Sequence, residues 1–117
     1  MINWAQVAEL RREVGAEDFE EVLGLFFEEV EEVTLRLSKT VLLTQLGEDL
    51  HFLKGSALNL GFEVFSEACN EGETLCAAGS SNTVNVTEIL DIYRTSKVSF
   101  LADLPYSFAS DSGFTGT

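Results

Sequence analysis

The sequence predicts an all-α fold, an antiparallel up-down four-helix bundle with a short additional N-terminal helix. Three observations lead there. Apolar residues recur at steps of three and four, alternating strand patterns are close to absent, and Pro105 is the only proline. At 117 residues the chain amounts to one domain, able to bury roughly two thirds of its unfolded surface in a single core.

The first helix is expected over Trp4 to Val14, stopped by Gly15. A second begins near Ala16, with Glu17 and Asp18 in its first turn where the helix dipole favours acids, and runs to about Ser38. Phe19, Val22, Leu23, Phe26, Val30, Val33 and Leu37 form its apolar stripe. A third spans about Lys39 to Leu60, buries Leu42, Leu46, Leu50, Leu53, Ala57 and Leu60, and ends at Gly61. The fourth, about Phe62 to Ala78, turns Phe65, Ala68, Cys69, Gly72, Leu75 and Cys76 inward.

Gly79 to Asn82 make a polar connection, and Asn85 with Glu88 three residues on resembles a capping box opening the fifth helix. That helix buries Ile89, Ile92, Tyr93, Ser96 and Phe100 and stops near Leu104, before Pro105. The expected organisation is therefore a bundle over 1–104 and a mobile tail over 105–117, rich in Ser, Gly and Thr without periodicity.

Twenty acidic residues against seven basic ones give a formal charge of −13. Binding to phosphate backbones requires Lys and Arg, so nucleic acid and anionic membranes are poor partners, and a basic or neutral protein is the better one. Much of the acid falls in the second helix and reads as a solvated outer face. The N-terminus lacks the basic start and apolar run of a signal peptide, and no stretch approaches the ~20 apolar residues of a membrane span, which predicts a cytoplasmic protein. Cys69 and Cys76, seven apart in a helix and so about 10.5 Å apart along its axis, are expected as reduced thiols.

His51 is the only histidine, and no CxxC pair, P-loop, GxGxxG or GxSxG pattern accompanies it. No metal site and no hydrolase chemistry are expected. At about 100° per residue, His51 points well away from the apolar stripe of the third helix, so its imidazole should be exposed. Gly47 and Gly55 lie one turn on either side of it, each costing about 1 kcal/mol relative to alanine in a helix. They leave the ring in a shallow clearing that another protein or a phosphoryl group can approach. Lys54, three residues on, can bring an ammonium beside it.

In the string HFLKGSALNLGF, His51 is followed by Lys54, Gly55, the small Ser56 and Gly61. This pattern resembles the signature of the histidine-containing phosphotransfer (HPt) domain family. Upstream, LRREVGAEDFEEVLGLFFEEVEEV is similar to the family's first helix, glycine turn and second helix, and the likeness covers residues 3 to about 103. The resemblance implies a four-helix bundle serving as a phosphorelay intermediate. His51 would accept a phosphoryl group through Nε2 from an aspartyl phosphate on a response-regulator receiver domain and pass it to another receiver.

By the same resemblance Lys54 would orient or neutralise the phosphoryl oxygens, Gly55 would admit the receiver, and Gly61 would end the helix. Ser56 is the small residue beside the site. Mg²⁺ would belong to the receiver, leaving this chain with no cofactor of its own, and a hybrid sensor kinase is a further candidate partner. Gly47, Gly55, Ser56, Leu58 and Phe62 are the candidate docking residues. Glu48 shares the exposed side with His51, where its charge would disfavour long residence of a phosphoryl group. Glu73 is expected as a solvent-facing acid. A monomer without ATP-binding or autokinase motifs is expected, in contrast to the phosphotransfer module of a chemotaxis-type kinase. The competing function is a non-catalytic helical adaptor.

Overall fold

In the computed structural model residues 1–107 are described, and they form five α-helices. Helix α1 covers Trp4–Val14. The Asn3 side chain caps it by accepting from the Gln6 N–H at 3.1 Å, and Gly15, at φ 90°, closes it by donating to the Arg11 carbonyl. Helix α2, Phe19–Lys39, begins later than the sequence suggests, because residues 16–18 are spent in a turn and Asp18 stands at the cap. Glu20 and Glu21 occupy its first turn in place of Glu17 and Asp18.

Helix α3, Leu43–Leu60, also starts later, since Thr40 and Leu42 are extended and bridge the gap to α2. Leu42 consequently precedes the helix and is half exposed, which corrects its assignment to the core. Helix α4 covers Glu63–Ala77 and helix α5 Val86–Ser107, with a 3-10 turn at Ser81–Thr83 between them. The Glu88 N–H donates to Asn85 Oδ1 at 3.0 Å and the Asn85 amide to Glu88 Oε2 at 3.2 Å, a reciprocal pair at the start of α5.

Pro105 lies inside α5 rather than beyond it. Proline removes one backbone donor, and within the last turn a helix can lose that bond without breaking. The expected tail otherwise lies outside the described residues from 108 onward.

Each of α2, α3, α4 and α5 packs on the next, and α5 returns to α2, so these four close a ring of contacts while α1 leans on α2 and α3. The core has Leu23, Val30 and Leu37 from α2; Leu46, Leu50, Leu53, Ala57 and Leu60 from α3; Phe65 and Cys69 from α4; and Ile89, Tyr93 and Phe100 from α5. Phe26 and Val33 are half-buried against it and Val22 is half-buried, whereas Leu75 is exposed. Phe62, just before α4, is wholly buried, its ring 5.4 Å from Phe100, 6.1 Å from Tyr93 and 6.3 Å from Phe27.

Gly61 is where the N-terminus enters the architecture. It takes the left-handed conformation at φ 72°, so that its own N–H reaches the Leu58 carbonyl and the Phe62 N–H the Ala57 carbonyl, satisfying the last carbonyls of α3. The segment before α1 lies across this turn. Asn3 N–H donates to the Gly61 carbonyl at 2.7 Å and Glu63 N–H to the Met1 carbonyl at 3.2 Å. A Cβ on residue 61 would sit 2.5 Å from the Asn3 carbonyl oxygen. Gly61→Ala should therefore destabilise the fold by at least the ~1–2 kcal/mol of a left-handed alanine, with the excess coming from displacement of residues 1–3, as read by denaturant midpoint and by amide exchange at Asn3.

Candidate functional site

The site is built on the exposed faces of α3 and α4. His51 is the most open of its groups, its side chain 70% exposed, as its angle on α3 requires. Lys54, three residues further on, lies down against α4 and is 25% exposed. What joins them is Glu73, from the middle of α4. Its Oε2 is 2.7 Å from His51 Nδ1 and its Oε1 is 2.7 Å from Lys54 Nζ, while Asn70, one turn earlier, offers Oδ1 to the same ammonium at 3.5 Å. The expectation of a solvent-facing Glu73 is corrected: its side chain is three-quarters covered and engaged at both oxygens.

This arrangement fixes the imidazole. A carboxylate is only an acceptor, so the hydrogen facing Glu73 sits on Nδ1 in the neutral ring, and the Nε2 lone pair is directed to solvent. The Lys54 ammonium, and after it the His51 ring, hold the Glu73 carboxyl below the usual carboxylate range in spite of partial burial. A lowered value means that Glu73 contributes to stability at and above the pH where ordinary carboxylates ionise, and that this is lost only as pH falls through the lowered value. A carbon-detected titration should accordingly place the Glu73 midpoint below the ordinary glutamate value.

The two glycines beside His51 do different things. Gly55 is exposed, and a Cβ there would meet nothing within 4 Å, so the surface beyond the ring is open. Gly47 is half-buried, and a Cβ on it would come to 3.2 Å from Cys76 Cβ, so its smallness lets α4 lie close to α3. Gly72 acts likewise from the other helix, where a Cβ would meet Leu50 Cδ1 at 2.7 Å. These close approaches are what bring Glu73 within reach of His51.

Leu58 is 57% exposed, two turns beyond His51, and is available to a partner. Ser56 and Phe62 are not, which corrects their place among the docking residues. Ser56 points at the bundle interior, about 140° round the helix from His51, and Phe62 sits inside the aromatic cluster. Asp49 is also turned inward, where the Arg36 guanidinium grips it in a two-pronged contact at 2.7 and 3.1 Å and ties α2 to α3. Cys69 is buried with its thiol pushed up to about 12, chiefly by that burial, so it remains protonated and inert; Cys76 is half-buried.

The described residues thus define an all-helical domain that presents one imidazole to solvent, with its inner nitrogen hydrogen-bonded and its outer one bare. The Hpt domain family model matches residues 21–95, a span that includes His51, Lys54 and Glu73, and the chain belongs to this family. No curated protein and no solved structure matched the chain. Hpt domains are phosphotransfer intermediates of two-component phosphorelays, acting with receiver domains. Among the described residues no helix is long and apolar enough to cross a membrane.

Proposed function

We propose that this protein is a cytoplasmic, monomeric phosphorelay intermediate that takes a phosphoryl group from the aspartyl phosphate of one receiver domain and gives it to another. The ring of contacts among α2 to α5 supports an antiparallel up-down bundle as its scaffold. One observation carries the reading: the Glu73 carboxylate holds Nδ1 of an otherwise exposed His51, leaving Nε2 as a free nucleophile.

In the forward step the Nε2 lone pair attacks phosphorus in line with the acyl phosphate bond. The N–P bond forms, the P–O bond to the receiver's aspartate breaks, and that aspartate leaves as a carboxylate. The phosphorylated ring keeps its Nδ1 hydrogen and is cationic, and Glu73 stabilises that charge. Lys54, already held within one side chain's reach, turns from Glu73 towards the phosphoryl oxygens as a mobile point charge. Gly55 leaves room for the receiver's loops and Leu58 gives them an apolar contact. Mg²⁺ is supplied by the receiver, and the chain uses no cofactor of its own.

Because Glu73 acts through the ring, Glu73→Ala should slow phosphoryl acceptance about 10- to 100-fold, by analogy with loss of the hydrogen-bond partner of a metal-binding histidine. Glu73→Gln, which keeps an acceptor but not the charge, should fall between. The test of the function is incubation with a phosphorylated receiver domain. The protein should acquire acid-labile, base-stable phosphate and surrender it to a second receiver. An adaptor would acquire none from any receiver, which would overturn the reading.

A further inference from the structure

The exposed surface on the two sides of His51 differs. Beyond the ring, towards the end of α3, Gly55 is open and Leu58 stands out as a ridge. On the other side a depression of about 640 Å³ opens between the first half of α3 and the end of α4. Gly47, Cys76 and Ala77 line it with small side chains, Thr44 and Ser81 add hydroxyls, and His51 with Glu73 closes one end. Glu48 also lines it, one turn before His51 on the exposed side of α3.

The charges around this depression are uneven. Glu73 is engaged by Lys54 and His51, and Asp49 faces the other way into the Arg36 guanidinium. Glu48 is exposed and makes no ion pair among the described residues, and no Lys or Arg lines the depression. A shallow trough with a floor of small residues and one uncompensated carboxylate fits a long aliphatic stem ending in a cation. Such a stem would cover Gly47 and Ala77, and its cationic head would meet Glu48.

We propose that this depression receives a Lys or Arg side chain of the receiver domain as it docks on His51, which makes Glu48 a specificity-determining residue. The inference rests on the relay reading. Glu48 selects receivers with a cation beside their phosphorylated aspartate and repels those with an acid there. The overall charge of −13 draws cationic partners from a distance, and Glu48 sets how they seat.

The test compares wild type, Glu48→Gln and Glu48→Lys against a panel of purified, phosphorylated receiver domains that carry Lys or Arg, or Asp or Glu, around the reactive aspartate. Phosphoramidate serves as a donor with no protein surface. With it, the Nε2–P bond forms as its own P–N bond breaks and ammonia leaves. Glu48→Lys should slow transfer from cation-bearing receivers about tenfold relative to acid-bearing ones, a gap that narrows at high salt, with Glu48→Gln in between. A change of equal size for every receiver and for phosphoramidate would place the influence of Glu48 on the phosphoryl group instead and overturn the proposal, as would no change at all. If neither phosphoramidate nor any receiver labels wild type, the relay reading itself fails, an outcome distinct from either of these.

Discussion

Replacing His51 by glutamine is expected to reduce phosphate acceptance to background while leaving the fold intact. Glutamine is close to the imidazole in reach, and its amide can still donate to Glu73, so the contact between α3 and α4 is kept. What it lacks is a basic nitrogen with a free lone pair. Lys54, an ammonium held on Glu73, and Cys69, buried with its thiol protonated, cannot replace that group. Since the His51 side chain is 70% exposed, the substitution should shift stability by no more than about 0.5 kcal/mol. Radiolabel transfer from a phosphorylated receiver and a thermal melt, run on the same preparation, check both halves of the expectation.

The opposite pattern is expected at Phe62. Its ring is fully buried and contacts the rings of Phe27, Tyr93 and Phe100, so it joins α2, α4 and α5 at the end of the bundle where residues 1–3 cross Gly61. Truncation removes the transfer free energy of a phenyl group and leaves a cavity among rings that cannot collapse freely, a loss of about 3–5 kcal/mol. That is a large fraction of the stability of a domain this size. Phe62→Ala should therefore lower the urea midpoint sharply, while the folded fraction accepts phosphate at the wild-type rate. A stable Phe62→Ala protein with slowed transfer would restore Phe62 to the docking surface.

Much of this arrangement was legible along the chain because it follows from local chemistry. The stripes at steps of three and four located the helices, Gly15 and Gly61 their ends, and the angle between His51 and Leu50 its exposure. The string around His51 also pointed to the family that the comparison found. Sequence and structure part where the outcome depends on how one helix meets another. Phe62 reads as exposed because the pattern along one helix does not say what α2 and α5 will cover, and Ser56 is put beside the site by the family resemblance although its own angle turns it inward. Leu42 reads as a core position because the link before α3, extended at Thr40 and Leu42, leaves no mark in the apolar period.

Glu73 is the residue of the site that sequence reasoning misjudged. Its role depends on the distance between α3 and α4, which Gly47 and Gly72 reduce from either side. A signal was present: Gly72 falls on the buried face of α4 next to Glu73, and Asn70 lies one turn before it. A glycine at a core position in a helix is a mark of close approach, and the polar residues flanking it are then the ones brought to the neighbouring helix.

The proposed relay chemistry puts the phosphoryl group on Nε2 of His51 while Glu73 holds Nδ1. It is tested most directly by loading ¹⁵N-histidine-labelled protein from a phosphorylated receiver domain and recording the phosphorus–nitrogen correlation spectrum. One phosphoryl group is expected, on Nε2 of His51, with Nδ1 still protonated. Phosphate on Nδ1, or on a side chain other than His51, would contradict it.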